Sequence, residues 1–124
     1  MLEVQVDHAG RAYAPGETLH AQVRWSMVSL PRAIHLELRW ETEGKGTSDH
    51  QVVGSEKWTQ LSPSEERAWS VVLPRGPESL QGQLIRIQWS LLCWYDGSEP
   101  ISIPLVVSRT REPIRLGVAD AWKT

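Results

Sequence analysis

The strongest regularity in the chain is a period of two. From Ala33 to Trp40, the apolar Ile34, Leu36, Leu38 and Trp40 alternate with His35, Glu37 and Arg39. Successive side chains of a strand face opposite sides, so this segment predicts a strand with one buried and one wet face. Thr18 to Trp25 repeats the pattern, with Leu19, Ala21, Val23 and Trp25 set against His20, Gln22 and Arg24. Leu84 to Tyr95 is longer: Ile85, Ile87, Trp89, Leu91 and Cys93 share one face, and Arg86, Gln88 and Ser90 take the other. Weaker alternation marks Leu2 to Val6, Gln51 to Trp58, Arg67 to Leu73 and Ile101 to Ser108. Turn residues separate them, as in Ala14-Pro15-Gly16-Glu17, Ser29-Leu30-Pro31-Arg32, Leu61-Ser62-Pro63-Ser64 and Tyr95-Asp96-Gly97-Ser98. About seven short strands with one apolar face each predict an all-β, immunoglobulin-like antiparallel β-sandwich. Residues 1–108 make up this domain, and 109–124, with weaker alternation, form a C-terminal tail expected to pack on it.

Length and composition agree with a single core. A chain of 124 residues suits one domain and buries roughly two-thirds of its unfolded surface. It has one cysteine, Cys93, so no internal disulfide forms, which fits a reducing compartment. The net charge of -2 gives no electrostatic case for nucleic acid. No apolar stretch approaches the roughly 18 residues of a membrane span. The opening MLEVQVDHAGR lacks a basic region followed by an apolar run, so no secretion signal is expected and the chain reads as cytoplasmic.

Two stretches resemble arrestin-like proteins. Tyr13-Ala14-Pro15-Gly16-Glu17-Thr18-Leu19-His20-Ala21-Gln22-Val23 is similar to their early turn and strand. Leu73-Pro74, then Pro77-Glu78-Ser79-Leu80-Gln81-Gly82, then Ile85-Arg86-Ile87-Gln88-Trp89-Ser90-Leu91, resembles the loop that leads into their long central strand. The resemblance covers most of Tyr13 to Trp94. It implies an arrestin-like sandwich acting as a non-enzymatic adaptor or scaffold, in the manner of one arrestin lobe or a bacterial sporulation-control protein. Most such proteins have two sandwiches, and this chain has room for one. The paired lysines near the first strand that serve visual-type arrestins as a phosphate sensor are absent from LEVQVDH, so recognition of phosphorylated receptors is not implied.

Candidate chemistry is sparse. The stretch Glu43 to Asp49, EGKGTSD, resembles a phosphate loop. The motif G-x-x-x-x-G-K-[ST] must follow a strand and open a helix. Aligning Gly44-Lys45 to it puts Arg39 at the first glycine and Gly46 at the Ser/Thr, and strand residues follow. The stretch is expected to be a polar link between strands, with Lys45 and Asp49 exposed to a protein partner. His20 and His35 fall on outward positions of two strands and could pinch a metal only if those strands are neighbours; the plainer expectation is two solvated histidines. Cys93, on an inward position, reads as a small buried hydrophobe rather than an activated thiolate. No serine lies in a G-x-S-x-G elbow. Glu37, Glu41, Glu43, Glu65 and Glu66 are expected outward or in loops, as a solvated face. No catalytic residue, cofactor or metal is expected.

The seven tryptophans, with no phenylalanine, say more. Trp25, Trp40, Trp69 and Trp89 share parity with aliphatic residues and are expected in the core. Trp94 and Leu92 fall on the outward parity of their strand and would form an apolar patch. Ile114, Leu116 and Trp122 of the tail would cover it, or a partner or second copy of the chain would. The candidate interaction residues are thus Leu92, Trp94, Trp122, Lys45 and Asp49, and the expected function is a non-catalytic protein-interaction module. The alternative is a carbohydrate-binding sandwich, which needs two or more coplanar exposed tryptophans drawn from Trp58, Trp94 and Trp122.

Overall fold

The structure is a computed structural model that describes residues 1–7, 12–44, 47–82, 85–109 and 114–116. Among them are nine strands: β1 (Leu2–Val6), β2 (Thr18–Ser26), β3 (Ile34–Gly44), β4 (Thr47–Trp58), β5 (Ser64–Val72), β6 (Leu80–Gly82), β7 (Ile85–Tyr95), β8 (Ile101–Leu105) and β9 (Ile114–Leu116). They form two sheets, β1-β2-β5 and β4-β3-β7-β6-β9, with β8 also paired to β7. The period-two alternation does the sorting. On β2, Leu19, Ala21, Val23 and Trp25 are fully buried, and the residues between them are exposed. β3 and β7 pair so that Leu36 meets Cys93, Leu38 meets Leu91 and Trp40 meets Trp89. These inward rows, with Tyr13, Leu73, Leu105 and Val107, make one core between the sheets. Each fully buried Leu or Val contributes about 1.5–3 kcal/mol of transfer free energy.

β7 is the central strand of the large sheet. β3 runs along one side of it. On the other side, β6 pairs with its first half and β8 with its second. β8 carries Pro104, which cannot donate to a ladder and is tolerated at an edge. Among the described residues the strand pairs are antiparallel except that β9 joins β6 in parallel, and the isolated bridge between Tyr13 and Val107 is parallel too. β9 lies in the segment read from sequence as the tail, and its three residues extend the large sheet.

The stretch EGKGTSD differs from the expected open link. The β3–β4 ladder continues to the pairs Thr42–Asp49, Glu43–Ser48 and Gly44–Thr47. β3 and β4 are therefore paired as far as Gly44 and Thr47, and Lys45 lies outside the described residues. Cross-strand hydrogen bonding, rather than apolar burial, extends this polar ribbon, and alternation of hydrophobicity could not register it. The ladder has one irregularity. Leu38 pairs with Gly54 and Arg39 with Val52, so Val53 is an extra residue, a β-bulge.

Beside the bulge, Gly54 is where the two sheets close on each other. A Cβ there would lie 2.9 Å from Val71 Cγ2 on β5, so only glycine allows this approach. Past it the chain crosses from the large sheet to the small one through residues 59–63. Gly16 also needs glycine: its φ is 84°. The Glu17 N–H donates to the Ala14 carbonyl at 3.0 Å. Proline at the second position and positive φ at the third make this a type II turn.

Candidate functional site

The outward face of β7 was the place to look for a contact surface, and it divides in two. Leu92 is only 6% exposed. It lies in register between Glu37 of β3 and Ser102 of β8, and it is not the exposed half of a patch as its parity suggested. On a wide sheet the outer face of a central strand is sheltered by the side chains of both neighbours, and parity alone does not reveal this. Trp94 is half-buried and remains at the surface. Its ring stacks on His35 of β3, with centroids 5.2 Å apart and planes inclined by 15°. The two residues are direct cross-strand partners, as are His35 and Lys57 on the other side. His35 Nε2 and Asp96 Oδ1 lie 2.9 Å apart, which fixes the imidazole over the indole.

Around this stack is an open concavity of about 360 Å³, lined by His35, Leu36, Glu37, Ser55, Glu56, Lys57 and Trp94. It offers one aromatic anchor, a carboxylate pair and an ammonium group on a rigid three-strand platform. That is the composition of a contact surface with a hydrophobic centre and polar rim. Asp49 does not join it. Asp49 is exposed on β4 and accepts the His50 N–H at 2.8 Å. Lys57 lies eight positions further along the same strand, roughly 26 Å away. Trp122 lies outside the described residues.

His20 and His35 are not neighbours. β2 belongs to the small sheet and β3 to the large one. His20 Nδ1 lies 2.8 Å from Ser70 Oγ. Among the described residues, no group of three or more His, Cys, Asp and Glu side chains is placed to hold a metal ion. Cys93 is buried, and burial pushes its thiol up to about 12, so it is protonated at neutral pH.

One cluster was not legible in the sequence. Trp25 and Trp58 have ring centroids 6.3 Å apart, and the Arg67 guanidinium lies 5.7 and 5.8 Å from the two rings. Arg67 also donates to Glu65 and to the carbonyls of Thr59 and Gln60. The Trp25 indole donates to the Ser62 carbonyl at 2.8 Å. Glu65 was expected on a wet face or in a loop. It sits instead on the same side of β5 as Arg67, Trp69 and Val71. Arg67, first of all, and the Ser62 N–H hold its carboxyl below the usual carboxylate range. Inward-pointing charge on an edge strand blunts that edge against unwanted pairing. Trp58 is thereby part of the sandwich's closure rather than a free surface ring.

The geometry can be set beside known proteins. No protein-family profile matches the chain, and neither does any curated protein. Among solved structures, it is similar to Spo0M, a sporulation control protein from Bacillus subtilis. The TM-score is 0.58 at 17% identity, over 86% of this chain and 48% of that one. The fold is arrestin-like. The chain spans about half the length of Spo0M. A β-glucosidase from Listeria innocua in complex with glucose also matches, with a TM-score of 0.51 and 11% identity. That match covers 92% of this chain but 16% of the enzyme. At these identities the likeness is one of fold. The arrestin-like sandwich agrees with the resemblance read at Tyr13–Val23 and Leu73–Leu91. Among the described residues, no helix is long and apolar enough to cross a membrane.

Proposed function

We propose that this arrestin-like sandwich is a non-catalytic protein-interaction module, working in the cytoplasm and contacting a protein partner or a second copy of itself through the outer face of the large sheet. The observation that carries this is the Trp94–His35 stack, held by Asp96 and rimmed by Glu37, Glu56 and Lys57. Tryptophan in a partly desolvated pocket is the residue type that dominates binding energy at protein interfaces. The Spo0M likeness supports a regulatory or interaction role, since that protein is described as a sporulation control protein.

The carbohydrate alternative lacks its platform among the described residues. Trp58 packs against Trp25 under Arg67, and among the described residues no second tryptophan lies coplanar with Trp94. The interaction reading is tested by size-exclusion with light scattering and by affinity capture from the native organism, wild type against Trp94→Ala. A hot-spot tryptophan is worth about 2 kcal/mol or more, so the variant is expected to lose at least roughly thirtyfold in affinity. A wild-type monomer that captures nothing, with a variant that behaves identically, would remove the Trp94 face as an interface.

A further inference from the structure

At the end of the sandwich away from Trp94, three chain segments are bonded to one another in a closed frame. The turn segment 13–17 joins the connection 73–79 through Gly16 N–H to Leu73 carbonyl at 3.0 Å and Leu73 N–H to Glu17 carbonyl at 2.9 Å. The connection 73–79 joins segment 106–109 through Ser79 N–H to Val107 carbonyl at 2.7 Å and Val107 N–H to Ser79 Oγ at 2.9 Å. Segment 106–109 returns to the first through Tyr13 N–H to Val106 carbonyl and Ser108 N–H to Tyr13 carbonyl, both 2.8 Å. The buried Trp89 adds a bond from its indole to the Pro77 carbonyl at 2.8 Å. Tyr13, Leu73, Ser79, Val107 and Ser108 are all buried. The base of the frame is therefore rigid.

Above this base is an open cleft of about 490 Å³ lined by Ala14, Pro15, Gly16, Arg75 and Arg109. Glu78 orients Arg109: its Oε1 accepts the Arg109 N–H at 2.7 Å, and its Oε2 lies 3.6 Å from Arg109 Nε. The outer nitrogens of Arg109 and the whole guanidinium of Arg75 have no partner among the described residues. Two cations thus flank a cleft with an apolar floor. Arginine presents a planar fork that matches a carboxylate through two parallel hydrogen bonds. A cleft of this size takes more than one carboxylate, and its two cations come from separate walls.

We infer that this cleft binds an extended, carboxylate-rich peptide segment of a partner, with Arg75 and Arg109 each gripping an acidic side chain and the peptide backbone lying over Pro15 and Gly16. The site is separate from the Trp94 face, and the two stand or fall independently.

The test is fluorescence anisotropy of a short labelled peptide of alternating Glu and Ser, at low and high salt, against its Gln-for-Glu counterpart. The acidic peptide is expected to bind, and to weaken as salt screens the charges. Arg75→Glu and Arg109→Glu are each expected to weaken it at least about tenfold, as losing a charged hydrogen bond does. Arg75→Gln and Arg109→Gln give the same test without reversed charge, and circular dichroism checks the fold of every variant. Trp94→Ala should leave peptide binding unchanged. Equal binding of the Gln peptide, or undiminished binding by the Arg75→Gln and Arg109→Gln variants, would overturn the assignment. Tighter binding of inorganic phosphate by calorimetry would do so as well, by making the cleft a small-anion site.

Discussion

Arginine is used in opposite ways at the two ends of the sandwich. At the end where β4 crosses to β5, Arg67 spends all its capacity on the protein itself. It lies over Trp25 and Trp58, binds Glu65 and holds the carbonyls of Thr59 and Gln60. At the other end, the closure rests mainly on backbone bonds, with Glu78 holding Arg109, and Arg75 stands free above them among the described residues. The difference teaches where to look for function on a fold with no catalytic constellation. A cation that satisfies a loop is structure. A cation on a base that is already satisfied is available.

Four changes sharpen or break that contrast. Trp25→Ala should act most strongly. Its ring is fully buried against Trp58, and truncation of such a residue costs about 3–5 kcal/mol, read as a lower denaturation midpoint. Gly54→Ala comes next. Its Cβ would press on Val71 Cγ2 at 2.9 Å and force the sheets apart, at a cost of about 1–3 kcal/mol. Val71→Ala in the same chain should recover part of that loss, and no recovery would show that β4 and β5 do not close there. Third is acid. The folded Glu65 carboxyl titrates below its unfolded value of about 4.3, so its stabilising contribution is present above that pH. It is lost as pH falls toward the lower folded value. Wild type should therefore lose more stability than Glu65→Gln over that acid range in parallel melts. The smallest effect is expected for Arg75→Ala, within about 0.5 kcal/mol of wild type. A larger drop would mean that the open end leans on its arginine as the closed end does.

How much of this was written in the sequence follows from what each feature rests on. β2, β3 and β7 were legible because burial on one face imposes period two on residues such as Leu19 to Trp25 and Ile34 to Trp40. The turn at Pro15-Gly16 was legible because its φ values demand those residues. The polar end of the β3–β4 ladder was not, because backbone pairing holds Glu43 and Ser48 and leaves no apolar trace. Leu92 was misplaced because parity gives a face but not the width of the sheet over it. The sheet memberships of His20 and His35 depend on which strands pair, and no local pattern carries that. The Trp25–Trp58–Arg67 cluster gathers residues from three strands, so its only trace was an abundance of tryptophan in a chain without phenylalanine.

The frame beneath the arginine cleft also bears on how the chain assembles. It ties Tyr13 to Val107, 94 positions apart (107 − 13), with Ser79 as the third corner. Contacts of such separation form late, after the entropy of closing a long loop has been met by other packing. The cleft therefore exists only on a chain that is synthesised through residue 109 and folded. Amide protons of Val107 and Ser108 should exchange only through global opening. A ligand held there would respond to closure of the frame, distinguishing folded domains from chains cut short before Val107.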